Sequence, residues 1–328
     1  MNVLVTGGAG YIGSVIVEAL VGRGHRAIVV DNLSKGHRQA VVPPARLLMV
    51  DLADRAALAE LLTAEKIDAV IHMAADSLVG ESMQKPEKYF RNNVINSLNL
   101  VEAMLEQGVT ALVFSSTAAV YGEPETIPIT EDVPPAPTNV YGESKLAFER
   151  MLGWLGRIHR LRWIALRYFN AAGATERLGE DHDPETHLIP IVLQVALGRR
   201  ERVQLFGTDY PTPDGTCIRD YIHVADLAEA HLLALEALAR DEAGGRAYNL
   251  GNGTGYSNRQ VIEAARRVTG HPIPVEEAPR RPGDPAVLVA SSARIQRELG
   301  WWPRYPGIDE IIGSAWRWHR RFPDGYPE

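Results

Sequence analysis

The sequence predicts a doubly wound, parallel α/β sheet followed by a smaller, mixed α/β lobe. Three observations carry that prediction. Short apolar runs recur through the first half of the chain, at 2–6, 27–31, 46–51, 68–75, 111–116 and 162–169. Stretches with helical apolar spacing lie between them, at 11–23, 54–64, 86–107 and 141–156. A glycine-rich turn, VTGGAGYIG, joins the first run to the first helical stretch. Strand and helix alternating in this way build a parallel sheet covered on both faces.

The division expected is a sheet domain over 1–170 and a second lobe mainly over 171–328. After about residue 170 the pattern becomes irregular, with Gly-, Pro- and Asp-rich loops at 176–187, 207–217 and 279–285. Segment 219–240, RDYIHVADLAEAHLLALEALAR, reads as a helix returning to the first domain.

Composition narrows the function classes. The chain has 328 residues, 45% hydrophobic and 23% charged, with a net charge of −7. Those proportions are ordinary for a soluble globule, and the acidic balance argues against a broad nucleic-acid footprint. A single cysteine, Cys217, excludes an intrachain disulfide. No apolar stretch reaches the roughly 20 residues of a membrane span. The first strand begins at once, with no leader pattern ahead of it, so the expected location is cytoplasmic.

Taken in order, the first strand (2–6) runs into Gly7, Gly10 and Gly13, spaced G-x-x-G-x-x-G, one residue wider than the usual dinucleotide pattern. Glycine lets backbone turn tightly and approach a pyrophosphate, which a helix N-terminus stabilises. Asp31 closes the second strand, 18 residues beyond Gly13, where a carboxylate accepts from adenosine ribose hydroxyls. Asn32 and Leu33 follow, with no arginine for a 2′-phosphate, so NAD is expected rather than NADP. Asp51 and Leu52 close the third strand beside the adenine position. His72, ending the buried fourth strand, reads as a structural histidine.

After the fifth strand come Thr117 and then NVYGESKL (139–146), which sets Tyr141 and Lys145 one helical turn apart. By itself a tyrosine with a lysine four residues on is weak evidence, since a surface tyrosine under a lysine stem gives the same spacing. Its place at the carboxyl edge of the sheet changes the reading. A cation one turn away and a nicotinamide cation above would favour phenolate, letting Tyr141 take a hydroxyl proton as hydride leaves the same carbon. Lys145 is also placed to donate to the nicotinamide ribose. Thr117 offers a hydroxyl to orient the reacting oxygen, although a strand-end threonine often bonds local backbone instead.

These residues, with VGESMQKPEKYFRNNV, FSSTAAVYG, LRYFNAAGA, FGTDYPTPDGTCIRDYIHVADLA, YNLG and PRRPGD, resemble the extended short-chain dehydrogenase/reductase family. Within it the chain is most similar to the UDP-glucose 4-epimerases, over essentially its whole length. The resemblance implies a Rossmann fold, NAD as cofactor, a UDP-sugar as substrate and a homodimer formed through helices 86–107 and 141–156. It implies redox-neutral inversion at C4 of a UDP-hexose through a 4-keto intermediate. Tyr141 is then the acid–base residue, Lys145 its partner and Thr117 the third member. The implied cofactor contacts are Gly7, Gly10, Tyr11, Ile12, Gly13, Asp31, Asn32, Leu33, Ser34, Lys35, Gly36, Asp51, Leu52, Met73, Ala74, Ala75, Ser77, Asn92, Ser115, Tyr141, Lys145 and Phe169. The implied sugar-nucleotide contacts are Thr117, Tyr141, Asn170, His187, Leu188, Gln204, Leu205, Phe206, Arg219, Tyr221, Arg281, Asp284 and Leu288. Arg219 and Arg281 suit a pyrophosphate, because guanidinium meets phosphate oxygens in a fork.

Ser77 departs from the family, standing where some members carry a phosphate-contacting lysine; this bears on cofactor affinity rather than chemistry. Leu288 occupies the position that sets room beside the hexose and is intermediate in size, so acceptance of N-acetylated sugars stays open, as does a UDP-pentose. Related dehydratases carry Asp-Glu beside the threonine and decarboxylases commonly Glu. Here Ala118 and Ala119 follow Thr117, which argues against dehydration and, less strongly, against UDP-glucuronate decarboxylation. A silent NAD-binding sensor usually lacks the tyrosine or the lysine, and this chain has both. The GEDHDPETH loop (179–187), with Asp181, His182, Asp183, Glu185 and His187, reads as a solvated acidic loop beside the substrate, and no metal is expected.

Overall fold

The computed structural model describes residues 1–240, 245–281 and 283–327. Pro282 of the PRRPGD string lies outside them. The first half runs β1 (Asn2–Thr6), α1 (Tyr11–Gly22), β2 (Arg26–Val30), β3 (Arg46–Leu48), α2 (Arg55–Ala64), β4 (Ala69–His72), α3 (Val79–Ser82) and α4 (Pro86–Phe90). A π-helical turn (Arg91–Asn96) leads into α5 (Ser97–Glu106), then β5 (Ala111–Thr117), α6 (Val140–His159) and β6 (Arg162–Tyr168). There follow β7 (Asn170–Ala172), α7 (Leu188–Ala196), β8 (Val203–Phe206), β9 (Ile218–His223), α8 (Val224–Ala239) and β10 (Arg246–Leu250). The chain closes with β11 (Gly255–Ser257), α9 (Asn258–Thr269), β12 (Val275–Ala278), β13 (Val287–Leu288), α10 (Ala293–Leu299) and α11 (Ile308–Arg321).

Seven strands form the main sheet in the order β10-β6-β5-β4-β1-β2-β3, and every neighbouring pair is parallel. The doubly wound α/β expectation is met. Strand alternation divides the core in two. Val3, Val5, Ala27 and Val29 face one cluster, whereas Leu4, Ile28 and Val30 face the other. Helices α1 and α8 cover the first face; α2, α5 and α6 cover the second. Strand order reverses between β1 and β4, so the carboxyl ends of β1 and β4 flank the crevice in which such sheets hold ligands.

Three local expectations are corrected. Segment 219–240 is not one helix: Ile218–His223 is a strand, and the helix starts at Val224. Asp220, Tyr221, Ile222 and His223 of that strand are all buried, so no period-2 alternation marks it off from the helix downstream. β3 ends at Leu48, three residues short of Asp51, which leaves Asp51 exposed in a turn. The helical stretch 86–107 contains the π turn at 91–96.

Two smaller sheets make up the remainder. In one, β9 pairs with β7, β11 and β13; in the other, β8 pairs with β12. Their core lies between α7, α9 and α11. Among the described residues no helix is long and apolar enough to cross a membrane.

Candidate active site

Thr117 is the last residue of β5, and its Oγ1 accepts from Ala119 N at 3.1 Å, capping the short turn 118–121. The local backbone role open to a strand-end threonine is therefore filled. The Thr117 side chain also stands beside the Tyr141 phenol, where it favours the ionised form.

The first turn of α6 delivers Tyr141 to it. Asn139 caps the helix, its Oδ1 accepting from Gly142 N at 2.9 Å. Gly142 lets that turn approach β5, since a Cβ there would meet Ala119 O at 2.5 Å. The Tyr141 backbone is held twice more: its N–H donates to Ser82 Oγ (3.2 Å) and its carbonyl accepts from Ser144 Oγ (2.8 Å). Ser144 in turn accepts from Asn93 Nδ2 (3.0 Å), and Asn93 brackets Asp76 through its backbone N–H and carbonyl. Ser82 and Asn93 are missing from the sequence-derived site. Both lie in the VGESMQKPEKYFRNNV string, and the signal was a fully buried polar residue in each case. The π turn carries Asn92 and Asn93 into this region, a common use of such bulges.

Lys145 is buried, with Nζ donating to the Ser115 carbonyl at 2.9 Å. It lies 4.9 Å from the Phe114 ring centroid and 6.0 Å from that of Tyr141. One turn on, Glu149 forms a buried pair with Arg167 (Nε–Oε1 3.0 Å, Nη2–Oε2 2.5 Å) and accepts from Ser116 Oγ.

The electrostatics correct the sequence reading of the dyad. Burial pushes the Tyr141 phenol up to about 12, partly opposed by the hydrogen bond with Thr117, and Lys145 is not among the causes. Burial likewise pulls Lys145 down to about 7 against the pull of Glu149. Desolvation disfavours the charged form of each group, so the lysine alone does not make this phenol acidic. His72 is structural as expected: its ring nitrogens bond Thr6 Oγ1 (2.6 Å) and Ser97 Oγ (2.8 Å), and burial lowers it to about 3.

Around the glycine turn, Gly7 has φ +67° and abuts Ala74, where a Cβ would meet backbone nitrogen at 2.6 Å. A Cβ on Gly13 would lie 2.2 Å from Gly7 O. Helix α1 begins at Tyr11 with no capping side chain and no acid in its first turn, so its N-terminus faces Gly10 bare. That donor-rich, anion-free end, lined by backbone that only glycine allows, fits a pyrophosphate. Asp31 accepts from Ala9 N (3.0 Å) and Leu33 N (2.9 Å), which anchors it at the tip of β2. Asp51 is bound by Asn32 and Ala53 N–H, and those bonds lower its pKa. Tyr11 donates to Gly173 O at 2.5 Å. Met73, Ala74, Ala75 and Asn92 are half-buried, Phe169 is buried, Ser34, Lys35 and Ser77 are exposed, and Leu52 packs in the core.

The sugar-nucleotide candidates assemble from scattered elements. Asn170 sits opposite Tyr221, and Leu288 opposite Arg219, on neighbouring strands. Arg219 donates to Pro285 O (2.8 Å) and Ile218 O (3.0 Å) and approaches Asp284 at 3.5 Å. The Arg281 guanidinium lies 4.0 Å over the Phe206 ring. In β8, alternation turns Gln204 outward and drives Leu205 into the core, so the Leu205 side chain is not presented to a ligand.

His187 is drawn into a different group. Its Nδ1 lies 2.8 Å from Glu180 Oε1 and 3.0 Å from Glu185 Oε1, with His182 alongside. Burial opposes charge on both Glu180 and His187, but their attraction outweighs it, holding Glu180 below the carboxylate range and His187 above the imidazole range. The loop is thus solvated at Asp183, Pro184, Thr186 and His187, as expected, but buries Glu180 against its histidines.

Comparison with known proteins agrees with this geometry. Residues 3–251 match the model of the NAD dependent epimerase/dehydratase family. A UDP-glucose 4-epimerase from Halalkalibacterium halodurans is 56% identical over 99% of this chain and 98% of its own. A crystal structure of a UDP-glucose 4-epimerase superposes with a TM-score of 0.97 at 54% identity, covering all of both chains. Another from Bifidobacterium longum, in complex with NAD+ and UDP, gives 0.94 at 39% identity over 99% of this chain and 100% of the other. The chain belongs to the NAD dependent epimerase/dehydratase family.

Proposed function

We propose that the protein inverts carbon 4 of a UDP-hexose, interconverting UDP-glucose and UDP-galactose, with NAD as cofactor. The observation that carries this reading is the meeting of Tyr141 and Thr117 at the end of β5, with Lys145 beneath and only Ala118–Ala119 beyond. That set moves one proton at one carbon and lacks the additional acid that dehydration requires. The full-length similarity to UDP-glucose 4-epimerases, one of them holding NAD+ and UDP, supports the same reading.

The backbone around Gly7, Gly10 and Gly13 and the bare end of α1 hold the dinucleotide phosphates, and Asp31 takes the adenosine ribose. Bound NAD supplies an acceptor and donor of hydride for carbon 4 and a positive ring charge. Tyr141 removes the proton from the 4-hydroxyl and later returns one to the same oxygen, while Thr117 holds that oxygen. Lys145, fixed by the Ser115 carbonyl, sits beneath the phenol, where burial favours its neutral form and Glu149 favours its charged one. In the protein alone the buried phenol is neutral at pH 7, so proton removal waits for additional positive charge. Arg219 and Arg281 hold the diphosphate, so that the hexose can present either face while its anchor stays put.

A homodimer through α5 and α6 is part of this reading. Trp154 and Ile158 on α6 are 61% and 67% exposed, and Phe90 and Ile95 line the run ahead of α5. A dimer seam along these helices would take those four apolar side chains out of water.

The test incubates purified protein with UDP-galactose, UDP-N-acetylgalactosamine and a UDP-pentose separately, without added NAD, and resolves the products. UDP-glucose from the first is the expected result. Turnover of none of them, or a product with water lost, overturns the reading.

A further inference from the structure

We propose that the 179–187 loop holds a zinc-class divalent transition metal on Glu180, His182, Glu185 and His187. Their ligand atoms all lie within 4.8 Å of one another. The His182 and His187 Nδ1 atoms stand 3.1 and 2.8 Å from Glu180 Oε1. His187 Nδ1 is 3.0 Å from Glu185 Oε1, and His182 Nδ1 is 3.9 Å from Glu185 Oε2. A tetrahedral zinc site with bonds of about 2.0–2.2 Å places its ligand atoms about 3.4 Å apart. The observed separations straddle that spacing, so small side-chain shifts would open a central position.

The donor chemistry selects the ion. Two imidazole nitrogens and two carboxylate oxygens suit zinc or cobalt, whereas calcium and magnesium prefer all-oxygen shells. The Glu180 and Glu185 side chains are 6% and 4% exposed, and among the described residues neither pairs with lysine or arginine. A ring nitrogen must be free of its proton to ligate, so metal entry would release to solvent any proton held between these histidines and glutamates. An outer layer is in place: Thr186 N and His187 N both donate to Glu185 Oε1 at 2.7 Å, and the Tyr11 ring meets His182 edge-on at 6.2 Å.

The position suggests what such an ion does. His187 precedes α7, Lys35 Nζ bonds Asp183 O at 2.6 Å, and His37 bonds Asp181 O at 3.0 Å. A metal here would stiffen the 180–187 loop, which Lys35 and His37 already tie to the loop after β2, at the start of α7.

The test strips purified, full-length protein with a chelator and titrates it with cobalt(II), following the visible absorption of tetrahedral cobalt. One equivalent per chain, displaced by zinc(II) and accompanied by a raised melting temperature, is expected. The Glu180→Gln and His182→Asn variants should bind about tenfold or more weakly. No saturable cobalt absorption in the unaltered protein overturns the proposal, as does equal binding by both variants. The measurement needs no turnover, so its outcome is separable from that of the epimerase assay.

Discussion

The two sides of the cleft are built by opposite means. On the cofactor side, a few contiguous backbone segments do the work: the turn after β1, the tip of β2 and the end of β4. Glycines without room for a Cβ and a helix end without a cap define the shape before any ligand arrives. On the sugar-nucleotide side, the proposed contacts come from β7, α7, β8, β9, β13 and the loop that ends at Pro285. They are side chains, several half-exposed, and their cations rest on rings or carbonyls. A backbone cradle is rigid and suits a ligand that stays. A clamp of long side chains tolerates a ligand whose distal part must move.

The largest expected effect lies where the two sides meet. Tyr141→Phe should lower turnover of UDP-galactose by roughly 10²–10⁴-fold, the span of general acid–base catalysis, while bound NAD content and melting temperature stay near those of the parent. Unchanged turnover would remove Tyr141 from its role. The same variant gives a pH reading. At about pH 10, where an ordinary tyrosine is half ionised, the cofactor-free protein and Tyr141→Phe should show equal tyrosinate absorbance, because burial holds this phenol up to about 12. An excess in the parent at that pH would restore the lysine as the source of acidity.

Next in size, Arg219→Ala should raise KM for the sugar nucleotide by about 10–100-fold, the worth of one charge-assisted hydrogen bond of about 1.5–3 kcal/mol, with NAD content unaltered. Lost NAD with unchanged KM would show that the two sides are not built separately. The smallest change is Gly13→Ala. Its Cβ, 2.2 Å from Gly7 O, should cost about 1–3 kcal/mol, read as a lower melting temperature and released NAD. Full cofactor retention would deny the cradle its role.

Legibility in the sequence followed the same division. The glycine turn, Asp31 and the Tyr141–Lys145 spacing are legible because each is a local pattern, the last gaining its meaning from its place after the fifth strand. Leu205 was read with its strand neighbours, yet alternation in β8 buries it. The sequence does not distinguish Asn93 from Asn92, since only packing shows which of two adjacent asparagines turns inward. The helix expected over 219–240 mixed a buried strand with the helix after it.

Chain order alone determined the parallel sheet, its wrapping helices and the place of the phosphate turn, because periodicity and glycine spacing act over a few residues. Tertiary structure decided how strongly Tyr141 and Lys145 are desolvated, and which carboxylates and imidazoles of 180–187 converge. Those outcomes depend on what surrounds each group in space, and electrostatics there is set by burial rather than by neighbours in sequence.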